Sequence, residues 1–293
     1  MMVPSGRLEH IRRLAYLRRW PLIAVFVALA LTMGVSARTA RASHPSPARS
    51  TPPATSAIGS SPSVTQPRTP HPTPAPPKAR PSPPPSDDFA PVGSVLLSVP
   101  TQSQLPDLPN GCEVTSLSML LTAWGNPVDK VVLAREQPTD LTQPVFSGPT
   151  GDFYSISRWG NPNTAFVGKI KGRYGYGIYH APLARLLDSK TQGHALDLTG
   201  RSFSEILARL RLGTPIVLWT TTTFAPPTRW VTWTTPEGPF RGTQVEHAVL
   251  LVGYTPNKLV LNNPLTGRQE QVSPAPFIAA WQQMGRQALT FTR

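Results

Sequence analysis

Proline placement limits this chain more than any other feature. Sixteen of its 36 prolines, together with 15 serines and threonines, fall in the 54 positions from 38 to 91. Almost no large apolar residue interrupts them, so the stretch cannot bury enough surface to offset its ordering entropy. It reads as a disordered linker, residues 38–91, and leaves residues 92–293 as the foldable part. A domain of about 200 residues can bury a full core without disulfides or metals.

The N-terminus sets the compartment. Arg7, Arg12, Arg13, Arg18 and Arg19 precede an uncharged apolar run over 22–35. A charged region followed by such a run reads as a signal peptide or an N-terminal membrane anchor over residues 1–37. The run is short for a transmembrane helix, which needs about 20 residues. Either way the domain is expected to be extracellular, secreted or tethered to the outer face of the cytoplasmic membrane. Of the net charge of +13, +8 lies at or before Pro91, and beyond it no Lys/Arg run exceeds two residues. That excludes the concentrated basic face of a nucleic-acid protein. It suits association with a cell wall or an anionic membrane surface.

Cys112 is the single cysteine. It permits no intramolecular disulfide and no thiolate metal cluster, and exported chains normally use cysteines in pairs. It follows the turn-rich 108–111 and opens a helix expected over 112–124, where unpaired N–H groups and the helix dipole favour a thiolate. The competing role is that of a small buried hydrophobe. Glu113 would raise the thiol pKa, although an acid in a first helical turn also has a plain structural role.

Around this position the expected elements are a strand at 94–99, a short helix from Pro127 to Arg135, irregular chain over 139–177 and a helix over 181–187. A capping box at Ser202 and Glu205 starts another helix, closed by Gly213. Strands follow at 215–222, 230–235, 240–245, 247–254 and 258–262. A helix capped by Ser273 and a strand at 287–292 close the chain. Helices first and antiparallel strands later make an α+β domain. Residues 224–243 read as a covering flap or as a hairpin whose tryptophans pack on the core.

A cysteine nucleophile needs a base. His247 opens an apolar strand and lies 135 residues beyond Cys112, within the roughly 130–150 of papain-type enzymes. His180 and His194 have less regular surroundings. Alternation along the strand sends Glu246 to the face opposite His247. Asn263, with Asn262 as the fallback, ends the next strand and could orient the imidazole. Gln102 or Gln104, with the Cys112 N–H, could hold an oxyanion.

The blocks Leu108-Pro-Asn-Gly-Cys-Glu-Val-Thr-Ser-Leu-Ser-Met-Leu-Leu121, Glu246-His-Ala-Val-Leu-Leu-Val-Gly-Tyr254 and Asn262-Asn-Pro-Leu-Thr-Gly267 resemble papain-like cysteine peptidases of the bacteriocin-processing, double-glycine-leader type. The likeness is nearer to their stand-alone exported branch. It implies a papain-like α+β fold, with a Cys-bearing helix packed on an antiparallel sheet carrying His and Asn. It also implies Cys112 as nucleophile, His247 as base, Asn263 as orienter (where many relatives have Asp) and Gln104 as oxyanion donor. The expectation is therefore an exported cysteine peptidase that cleaves an amide or peptide bond. It would act as a monomer on a peptide or protein substrate, without cofactor or metal. The alternatives are a peptidoglycan hydrolase using the same residues, or a non-catalytic surface binding module on a degenerate peptidase fold.

Overall fold

A computed structural model of the chain describes residue 89 and residues 91–292. The expected leader and nearly all of the linker lie outside them. Among the described residues no helix is long and apolar enough to cross a membrane.

The chain opens with β1 (Val95–Leu96), α1 (Cys112–Trp124) and α2 (Lys130–Glu136). Four short strands follow: β2 (Thr139–Asp140), β3 (Val145–Phe146), β4 (Ile156–Arg158) and β5 (Phe166–Val167). Next come α3 (His180–Thr191), β6 (Ala195–Asp197), α4 (Phe203–Arg211) and β7 (Ile216–Thr221). The last third holds β8 (Val231–Thr235), β9 (Gly238–Gly242), β10 (Glu246–Thr255), β11 (Lys258–Asn263), β12 (Arg268–Val272), α5 (Pro274–Gln283) and β13 (Ala288–Phe291).

The main sheet is antiparallel, in the order β12-β11-β10-β7-β13-β6. β7 pairs with β10 from Glu246 to Leu251, and β1 takes over that edge at Gly253 and Tyr254. The run Ala248–Val252 is unbroken apolar sequence because both faces of the sheet are covered. Ala248, Leu250 and Val252 pack in a cluster with α1 and α3. Val249 and Leu251 pack with Phe203 and Ile206 of α4 and with Phe277 and Trp281 of α5. Period-two alternation thus divides one strand between two cores.

α1 departs from expectation. Its spacing suggested one apolar face, yet every residue from Cys112 to Leu121 is buried. The sheet, α2 and α3 all pack against it, and its hydroxyls are satisfied internally. Thr115 Oγ1 donates to Gly111 O at 2.7 Å, Ser116 Oγ to Ala248 O at 3.3 Å and Ser118 Oγ to Val128 O at 2.6 Å. Gly125 ends it at φ 100, a left-handed position that suits glycine.

α2 starts at Lys130 rather than Pro127, because the Asp129 carboxylate accepts from Val131 N and fixes the cap there. Residues 139–177, expected to be irregular, contain β2–β5; β3 and β4 join β8 and β9 in a second sheet. The capping box at Ser202 and Glu205 forms, with both reciprocal bonds. Residues 231–242 are a hairpin, and Trp233 is buried, edge-on to Tyr176 and Phe153 and tilted against Phe240.

Candidate functional site

A cleft of about 480 Å³ lies where the start of α1, the start of β10 and the 146–176 region meet. Gln104, Cys112, Glu246 and His247 all reach its wall. Phe146, Phe153, Trp159, Tyr174 and Tyr176 supply aromatic surface, and Arg173 supplies a cation.

Cys112 is the first residue of α1. Its Sγ donates to Glu113 Oε2 at 3.3 Å. Glu113 is fully buried and also accepts from Ile178 N, at 2.8 Å, through Oε1. Glu246, the first residue of β10, comes in from the sheet, so that one donor atom from each of Cys112, Glu113 and Glu246 lies within 4.8 Å of the others. Glu246 Oε1 is buried without a hydrogen-bond partner. Burial, and then the neighbouring Glu113 and Glu246 carboxylates, push the Cys112 thiol well above its ordinary value. Burial raises Glu113 to about 7. Burial and the proximity of Glu113 raise Glu246 as well.

His247 bonds to Asn263, the residue expected to orient it. Its Nε2 lies 2.9 Å from Asn263 Oδ1. That oxygen can only accept, and it accepts from Leu265 N as well, so Nε2 carries the ring proton and Nδ1 does not. Asn263 Nδ2 donates in turn to Glu270 Oε1 at 3.1 Å. Burial lowers His247 to about 4, although Asn263 and Glu270 pull the other way. The ring is neutral at physiological pH. Among the described residues no hydrogen bond joins Cys112 to His247.

The expected Cys–His–Asn triad is therefore not formed. The helix N-terminus does not produce a thiolate, because desolvation and two adjacent carboxyls outweigh the favourable end of the dipole. Gln104 is not set as an oxyanion donor either: its Nε2 donates to Pro109 O at 2.7 Å, and its Oε1 is left buried and unpartnered. Gln102 is tied to α1, accepting from Ser118 Oγ. Asn262 binds Val99 O and Gln269 and does not reach the imidazole. His180 pairs with Asp197 away from the cleft.

Glu113 raises the thiol pKa, as its place beside Cys112 suggests, whereas Glu246, which strand alternation sends to the face opposite His247, approaches the sulfur as well. The available signal was that one acid adjoins the cysteine and another adjoins the histidine. Nothing local says that both turn toward the sulfur.

The Peptidase_C39 like family matches residues 96–289. The chain belongs to that family. It is 36% identical over 193 residues to the uncharacterized protein YvpB of Bacillus subtilis (strain 168), a match covering 66% of this chain and 73% of that protein. A crystal structure from Bacillus anthracis, described as a C39-like peptidase, superimposes with a TM-score of 0.61 at 38% identity. It covers 69% of this chain and 98% of its own. The α+β fold with a cysteine-bearing first helix is thus that of the C39-like peptidases. Membership does not carry the catalytic pairing with it. The expectation of a working cysteine hydrolase is corrected by the turn of Cys112 toward Glu113 and Glu246.

Proposed function

We propose that this chain is a non-catalytic binding module on a peptidase-type fold, which receives a peptide-like ligand in the cleft without covalent chemistry. The observation that carries this reading is the pairing of the Cys112 thiol with a neighbouring carboxylate instead of an imidazole. A thiol held neutral beside two carboxyls is a poor nucleophile, and a histidine near 4 is a weak base at neutral pH. A wall hydrolase working through the same residues meets the same obstacle.

The cleft suits binding. Its volume falls in the range of ligand sites, roughly 300–1,000 Å³. Its aromatic walls offer contact area at low entropic cost. In this reading the protein belongs to the stand-alone exported branch of the family. Residues 1–37 are the leader or anchor, and residues 38–91 are the tether that presents the domain to wall or anionic-surface polymers.

The test is covalent trapping together with binding. A peptidyl chloromethyl ketone is incubated with the full chain, followed by mass mapping and by pull-down with purified cell wall and with immobilised short peptides. The module reading expects no adduct on Cys112, and retention on wall or peptide that is unchanged in Cys112→Ala and reduced in Trp159→Ala. A Cys112 adduct that disappears in His247→Ala would overturn it.

A further inference from the structure

We propose that Cys112, Glu113 and Glu246 form a binding site for one divalent cation of the zinc class at the floor of the cleft. This inference does not depend on whether the cleft takes a peptide.

Three donors of two types, one thiol and two carboxyls, converge there, all from buried residues, with the donor atoms within 4.8 Å of one another. Among the described residues the ion pairs are Lys130–Asp107, His180–Asp197, Lys190–Glu136 and Arg201–Glu205. None of them gives Glu113 or Glu246 a cation. Buried carboxylates ordinarily have a charged or hydrogen-bonded partner. Glu113 has the amide of Ile178, but Glu246 Oε1 has nothing, and Glu246 is only 9% exposed. An orphaned oxygen beside a thiol and a second carboxylate calls for a positive partner.

The spacing suits a metal. Bonds of about 2.3 Å to sulfur and 2.0 Å to oxygen at tetrahedral angles place S and O about 3.5 Å apart. Cys112 Sγ and Glu113 Oε2 are already 3.3 Å apart, and the widest donor pair, within 4.8 Å, needs to close by at most about 1.5 Å. Gly177 leaves the room: a Cβ there would collide with Glu113 Oε1 and stand 3.0 Å from Glu246 Oε2. A sulfur donor with two carboxylates favours a borderline ion over Mg²⁺ or Ca²⁺, which prefer all-oxygen shells. On binding, the S–H bond breaks, its proton and any proton held by the two carboxyls leave to solvent, and the thiolate and carboxylate lone pairs form the metal bonds. The cleft side remains open for a fourth ligand.

The experiment uses the full chain stripped with a chelator, dialysed and titrated with Co²⁺. Saturation at one Co²⁺ per chain is expected, with a near-ultraviolet thiolate-to-cobalt band that Zn²⁺ abolishes and Mg²⁺ does not. Cys112→Ser should lose the band. Glu246→Gln should weaken binding at least about tenfold, the loss seen when even an outer-shell partner is removed. A second readout needs no variant: Zn²⁺ should slow labelling of Cys112 by methyl methanethiosulfonate in the unaltered protein by a similar factor. Absence of the band, a midpoint unchanged in Glu246→Gln, a band lost in His247→Ala, or labelling indifferent to Zn²⁺ would each overturn the site.

Discussion

Glu113→Gln should remove the pH dependence that a buried carboxyl imposes on stability. In the metal-free protein Glu113 titrates near 7 against an ordinary value of 4.5. Between those values the folded chain holds a proton that the unfolded chain has released, so stability is complete below about 4.5 and is lost as pH rises through 7. At about 1.4 kcal/mol per pH unit, the rise from 4.5 to about 7 amounts to about 3 kcal/mol. Gln keeps the size and an acceptor for Ile178 N but carries no titrating proton. The stability of Glu113→Gln relative to the unaltered protein should therefore rise by about 3 kcal/mol between pH 4.5 and pH 8. Urea melts in chelator at those two pH values measure it. With a slope near 2 kcal/mol per molar, the midpoint difference should move by about 1.5 M in favour of the variant. A difference independent of pH would refute the claim that Glu113 folds as a desolvated acid beside Cys112.

Four further outcomes are expected. The His247 ring should titrate by NMR near 4, and lower still in Asn263→Ala, because the Asn263 bond holds the value up. Since the unfolded ring takes a proton from about 6.5 downward, His247 withdraws stability as pH falls toward 4, opposite in sign to Glu113. Urea melts should therefore show steeper acid loss in Glu113→Gln than in the unaltered chain. Leu117→Ala removes a fully buried side chain from the helix that the sheet, α2 and α3 enclose, and should cost about 2–5 kcal/mol in the same assay. Ser202→Ala removes the side-chain arm of the capping box, the bond from Glu205 N to Ser202 Oγ, and keeps the backbone arm; it should cost about 1 kcal/mol, while leaving Cys112 labelling unchanged.

The aromatic hairpin shows how local sequence and long-range packing divide the work. Alternation in Val231–Thr235 and the turn before Gly238 are enough to make two antiparallel strands. Whether they cover the cleft or pack down depends on what lies beneath. Tyr176 and Phe153, 57 and 80 residues upstream of Trp233 in sequence, provide the surface that buries it. The same holds for β2–β5, which are two or three residues long. A segment that short carries no readable period, so only its pairing partner makes it a strand.

Patterns set by chemistry within a few residues are written in the sequence. They include the helix opened by Cys112, the capping box, the run divided between two cores, the paired strands of His247 and Asn263, and the resemblance of the cysteine and histidine blocks. The state of the sulfur is not written there. It depends on desolvation and on the direction of side chains 134 residues apart, Cys112 and Glu246. Both act over a few ångströms of tertiary space that no local pattern encodes. A thiol expected to be anionic at a helix N-terminus is neutral because folding removed its water and placed two carboxyls beside it.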